Sequence, residues 1–152
     1  MVPLHNGQIM MTYRCSAACR HCLVMAAPGQ DGALVSVEAA VQYGIDFAAL
    51  GRAVLIAGGE ALLYFEHVLE MVRALTAAGV PVAFVESNGS WCTSDDLTHE
   101  RLSRLQEAGV QGMYFSVDHY HQEFVSVERV YRGVSIAWEL FGREKVHPEE
   151  LT

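Results

Sequence analysis

Three glycines, Gly51, Gly79 and Gly109, stand about thirty residues apart, each after an amphipathic stretch and before a short apolar run. Glycine ends helices by taking a left-handed conformation that other residues resist. Thirty residues is about the size of one strand–helix–strand unit. The chain is thereby confined to a narrow set of folds. Strands joined by right-handed helical crossovers lie parallel in one sheet, with the helices outside.

The pattern predicts a first strand over Gly7 to Arg14, then a loop through Pro28, Gly29 and Gly32. Ser36 is the expected cap of a first helix, whose inner face holds Val37, Ala40, Val41, Ile45 and Ala48. A second strand runs from about Arg52 to Ala57, and a second helix follows through Phe65, Val68, Leu69, Val72 and Leu75. The third strand covers Pro81 to about Glu86, and the third helix uses Leu97, Leu102, Leu105 and Ala108. The fourth strand covers about Gly112 to Val117. After a histidine- and tyrosine-containing loop, Ser126 is the expected cap of a fourth helix that stops at Gly142. The polar tail 143–152 shows no strand signal, so the expectation is an α/β domain of four strand–helix units over residues 1–152.

Composition narrows the functions open to such a fold. Hydrophobic residues make up 51% of the 152 and mean hydropathy is +0.18, as buried parallel strands produce. Glu60, Glu66, His67, Glu70 and Arg73 interrupt the most apolar region, which leaves no membrane-spanning run. The net charge of −8 speaks against a nucleic-acid surface. No basic-then-apolar leader precedes the first strand. Three of the four cysteines are clustered, which is not the layout of a secreted disulfide framework. A cytoplasmic setting is therefore expected.

The clustered cysteines are Cys15, Cys19 and Cys22, in Cys-Ser-Ala-Ala-Cys-Arg-His-Cys. Three thiolates on one loop can hold three corners of an iron–sulfur cube and leave the fourth iron open to a small molecule. Two other readings stay open. A structural zinc ion needs a fourth ligand, for which His21, His5 and Cys92 are candidates. Cys19 and Cys22 by themselves form the Cys-x-x-Cys of a thiol–disulfide oxidoreductase. Cys92, far from the trio, reads as a small buried hydrophobe. The other polar groups also sit at predicted strand ends: Gly58-Gly59-Glu60 after strand two, Ser87-Asn88-Gly89 after strand three, and Ser116-Val117-Asp118 with His119 and His121 after strand four. In parallel α/β folds that edge binds ligands. Two glycines permit close backbone approach, and the adjacent Glu60 carboxylate can accept a hydrogen bond from an ammonium group. Ser87-Asn88-Gly89 is equally suited to an ordinary turn. Ser116 and Asp118 point to one side, and His119 and His121 could donate hydrogen bonds or transfer protons near neutral pH.

The Cys-x-x-x-Cys-x-x-Cys spacing, followed by Gly-Gly-Glu, resembles the radical S-adenosylmethionine enzymes, and the resemblance runs from about Gly7 to Gly142. It implies that Cys15, Cys19 and Cys22 bind a [4Fe–4S] cluster whose open iron chelates S-adenosylmethionine. It implies reductive cleavage of that cofactor to a 5′-deoxyadenosyl radical, which abstracts hydrogen from a substrate. His21 occupies a position that is usually aromatic and packs near the adenine. Gly58, Gly59 and Glu60 match the motif that holds the methionine ammonium. Ser87 and Asn88 match a segment near the ribose and carboxylate, and Ser116 and Asp118 one that serves ribose or substrate. An electron donor of the flavodoxin or ferredoxin kind is implied as partner.

Two departures stand out. Ala61 replaces the proline that usually follows Gly-Gly-Glu. The family core is commonly a partial barrel of six units, so four units imply a truncated version with an open edge. Three explanations stay open: the edge is filled by a second copy or a partner subunit, the chain is a piece of a longer one, or it binds a cluster without turnover. With only Cys92 left over, no second cluster is expected.

Overall fold

Alternation within the apolar runs decides which way each strand residue faces. A computed structural model describes residues 6–149. His5, one of the zinc-ligand candidates, lies outside the described residues. Five strands form one sheet in the order β1 (Asn6–Met10), β2 (Ala53–Ala57), β3 (Val82–Ser87), β4 (Met113–Ser116) and β5 (Val146–Glu149), and all neighbours are parallel. Helices α1 (Val37–Ala49), α2 (Phe65–Ala77), α3 (Asp95–Ala108) and α5 (Val127–Phe141) are the crossovers. A single helical turn, α4 (His119–Gln122), follows β4. Gly51, Gly79 and Gly109 take φ of +70°, +75° and +118° at the ends of α1, α2 and α3, as their spacing predicts.

Ile9, Val54, Ile56, Val85, Met113 and Phe115 face the helices and are buried with Leu69, Val72, Leu75, Leu102, Leu105, Val130 and Val134. Residues one step along these strands face the concave side, where Phe84, Tyr114 and His147 form a ring cluster with centroids 4.4–5.5 Å apart. One pleat nearer the carboxyl ends, the same side presents Glu86, Ser116 and Glu149 to a cavity. Polar residues within apolar strands thus mark the inner face.

The structure corrects the sequence reading in four places. The tail carries a fifth strand: Val146–Glu149 pairs with β4 from Met113↔Val146 to Ser116↔Glu149. Its sequence Val-His-Pro-Glu has one buried apolar residue, Val146, and Pro148 is tolerated because this is an edge strand. β1 ends at Met10, four residues before the expected limit. The chain then peels off the sheet, and Arg14 bridges to Ala27 instead. In α1 the inward position is Gly44 rather than Ile45, which is 44% exposed. A Cβ at Gly44 would stand 2.5 Å from Leu75 Cδ2, so the glycine lets α1 pack closely on α2. Ser36 caps α1 by accepting from the Ala39 N–H, whereas the Ser126 side chain makes no cap bond to α5.

Candidate active site

The cysteine loop is folded by a few backbone contacts. Cys15 N–H donates to Ala27 O and Ala27 N–H donates to Tyr13 O, which closes the loop at its base. Inside it, Cys22 N–H donates to Cys19 O and Met25 N–H to Cys22 O. The loop is seated on the end of β2, where Gly59 N–H donates to Thr12 O at 2.7 Å and Glu60 N–H to Arg14 O at 3.0 Å. Only glycine fits there. A Cβ on Gly59 would lie 2.2 Å from Arg14 O, and Gly58, at φ +150°, stands against the Thr12 backbone.

Cys15, Cys19 and Cys22 all line one cavity of about 430 Å³ at the carboxyl edge of the sheet, together with Gly58, Gly59, Ser87, Asn88, Ser116, Asp118, His21 and His121. The four predicted strand ends therefore meet at one place. All four cysteines are free thiols, and Cys92 is fully buried in the core. Burial raises the Cys15 thiol above its usual range. Burial, then the neighbouring Cys15 and Asp118, push Cys19 up to about 11. A thiol–disulfide exchange site needs its attacking thiol lowered, so these shifts disfavour that chemistry. A metal bound there would have to release those protons, since the ligand is the thiolate.

Spacing separates one ion from a cluster. Around a single tetrahedral zinc, sulfurs 2.3 Å from the metal lie about 3.8 Å from each other. Among the described residues, the trio of histidine, cysteine or carboxylate ligand atoms all within 4.8 Å of one another is His21, Asp118 and His121. The three cysteine sulfurs do not all lie within 4.8 Å of one another, which is wider than one tetrahedral ion needs. Two sulfurs already receive backbone N–H groups, from Ala17 to Cys15 and from Ala26 to Cys22, each at 3.4 Å. The donor set fits a cluster.

Glu60 behaves differently from expectation. Its side chain is 1% exposed and is not part of the cavity wall. One carboxylate oxygen accepts from Leu62 N–H at 3.1 Å and Ser87 Oγ–H at 3.0 Å; the other accepts from Asn88 N–H at 2.7 Å. Ser87 Oγ in turn accepts from Gly89 N–H and the Trp91 indole. Burial outweighs these hydrogen bonds and lifts the carboxyl to about 7. Glu60 thus buttresses the Ser87-Asn88 turn from behind, because three donors inside the fold satisfy it there.

Asp118 caps α4. Its Oδ1 accepts from Tyr120 N–H and His121 N–H, and Oδ2 lies 2.8 Å from His121 Nδ1 and 3.5 Å from His21 Nε2. Burial alone would raise this carboxyl, but the backbone and ring bonds from His121, with the Tyr120 N–H, hold it below its ordinary range. His21 stacks on Tyr120 at 4.6 Å and meets His121 edge-on at 4.9 Å. Its Nδ1 is buried and has no partner. His119, expected beside His121, is exposed and is not part of the wall: one step along the helical turn carries it outward. Sequence reasoning missed Gln8, Met10, Glu86 and Glu149, which also line the cavity. Glu86, raised by burial and then by Glu149, is a polar break in an apolar strand, and that was the available signal.

The model of the Radical SAM superfamily matches residues 9–140. The chain belongs to the radical SAM superfamily. No curated protein matches it. As in the radical SAM family, the cysteine loop follows the first strand of a parallel α/β sheet, and membership implies a [4Fe–4S] cluster and S-adenosylmethionine. No helix among the described residues is long and apolar enough to cross a membrane.

Proposed function

We propose that this radical SAM chain is an enzyme, or the catalytic half of one, in which Cys15, Cys19 and Cys22 hold a [4Fe–4S] cluster. With S-adenosylmethionine bound, such a cluster supplies, on one-electron reduction, a 5′-deoxyadenosyl radical for hydrogen abstraction. The observation that carries the reading is the meeting of three unpaired thiols with the Gly58-Gly59 turn, Ser87-Asn88 and Ser116-Asp118 on one cavity.

In this reading Gly58 and Gly59 present backbone to the methionine end, and Glu60 fixes that wall through Ser87 and Asn88. His21, held by Tyr120, offers a flat ring face to the adenine. Ser116 and Asp118 take ribose hydroxyls or substrate. Bonded at Nδ1 to Asp118, His121 leaves Nε2 to exchange a proton. The edge strands β1 and β5 both contribute to the wall through Met10 and Glu149. A second copy or a partner subunit extending the sheet would therefore close the cavity as well. A flavodoxin- or ferredoxin-like donor supplies the electron, in a reducing, cytoplasmic setting that suits four free thiols.

The test is anaerobic reconstitution with iron and sulfide, addition of S-adenosylmethionine, and reduction with dithionite. Methionine and 5′-deoxyadenosine are expected only with reductant, and not from a Cys19→Ala protein. An iron-loaded chain that leaves S-adenosylmethionine intact would support a cluster-binding module without turnover.

A further inference from the structure

The three cysteines are not equivalent in their surroundings. Cys15 is the most buried, at 8% exposure, and besides the Ala17 N–H it receives a side-chain donor: Asn88 Nδ2 lies 3.5 Å from its Sγ. That carboxamide is itself 5% exposed and is fixed on every side. Nδ2 also donates to Ser16 Oγ at 3.0 Å, Oδ1 accepts from Ser90 N–H at 3.0 Å, and Ser16 and Ser90 join their hydroxyls at 2.8 Å. The Asn88 backbone N–H is held by Glu60. The Ser90 bond is the one an ordinary asparagine turn makes, but the turn needs neither Nδ2 bond, to Cys15 or to Ser16. Local left-handed geometry is supplied by Gly89, at φ +74°. What the network does is aim one amide N–H at one sulfur from an element 73 residues away.

We infer that Asn88 is a positioning residue for electron transfer: its side-chain N–H bonds the Cys15 sulfur and raises the reduction potential of the cluster that Cys15 helps to hold. The inference rests on the cluster reading above. Reduction adds negative charge that spreads onto the thiolate sulfurs, and a donated hydrogen bond stabilises that charge. With the donor gone, the oxidised cluster is favoured. Asn88→Asp is the sharpest change: it keeps the oxygen that accepts from Ser90 and the backbone N–H that Glu60 holds, but sets a carboxylate oxygen against the sulfur.

The experiment is a redox titration of the reconstituted protein followed by electron paramagnetic resonance. Asn88→Ala is expected to disfavour the reduced cluster by about tenfold, or about 59 mV for one electron, and Asn88→Asp by more, with iron content kept. A parallel measurement needs no cluster. In a Cys19→Ala, Cys22→Ala background, with Cys92 buried, iodoacetamide reports on the Cys15 thiol. Adding Asn88→Asp is expected to cut its alkylation rate by roughly tenfold, because a carboxylate then faces the sulfur. Loaded variants with the wild-type potential, or an unchanged Cys15 alkylation rate, would overturn the inference. A wild-type chain that takes up no iron would instead sink the cluster reading, and the alkylation comparison would still decide whether Asn88 acts on Cys15.

Discussion

Alanine at any one of Cys15, Cys19 or Cys22 is expected to take the iron of the anaerobically reconstituted protein to background and to remove its brown colour. Alanine at Cys92 is expected to leave both intact. The contrast follows from position. The three loop thiols share a cavity wall, while Cys92 is buried against Phe115 and Gly133 in the core. Two thiolates leave a cube with two unligated irons, which is too weak a hold for a charged cluster in a cavity open to solvent. The folded apo protein should survive each change, since the loop is held by backbone bonds at Tyr13, Ala27, Gly59 and Glu60 rather than by its sulfurs. Iron and sulfide assays on each variant, with circular dichroism to confirm folding, check this. Full iron content in Cys19→Ala with none in Cys92→Ala would reverse the ligand assignment.

The second large effect falls on a buried residue outside the cavity wall. Glu60→Ala strands three buried donors, the N–H groups of Leu62 and Asn88 and the Ser87 hydroxyl, at about 1–3 kcal/mol each. A loss of roughly 3–5 kcal/mol is expected, enough to unfold a marginal domain. Glu60→Gln keeps the shape but turns an amide donor toward a donor, so an intermediate loss is expected. The pH dependence has a definite sign. The folded protein keeps the Glu60 proton up to about pH 7, whereas the unfolded chain releases it near 4.5. Stability from this group is fully present below pH 4.5 and falls as pH rises through 7, by on the order of 3 kcal/mol. Urea unfolding of the apo protein across that window should show this decline in wild type and a flatter profile in Glu60→Gln. Identical profiles would show that the carboxyl does not titrate in this range.

What could be read from the sequence, and what could not, divides along physical lines. The cysteine loop, the Gly-Gly turn and the helix-ending glycines are local: each is decided by a few neighbouring residues, so spacing alone located them. Glu60 was assigned to the cavity because its neighbours line it. Its actual partners, Ser87 and Asn88, lie 27 and 28 residues away, and only the closed sheet shows that they capture the carboxylate first. The β5 strand escaped notice because an edge position asks for little: Val146 alone is buried, and pairing with β4 supplies the rest. His119 and His121 looked alike in the chain. The cap at Asp118 separates them, since the third residue after a cap returns to the capping side chain while the first does not. That rule could have been applied to Asp-His-Tyr-His beforehand.

In the proposed function, three loop thiols hold a cube of iron and sulfide instead of a single ion. Metal and acid-labile sulfide analysis of the wild-type chain, isolated without oxygen, tests it most directly. Iron and sulfide are expected in equal amounts, at the stoichiometry of one [4Fe–4S] cube per chain, in a brown protein that bleaches in air. A colourless protein carrying one tightly held zinc ion and no sulfide would contradict it.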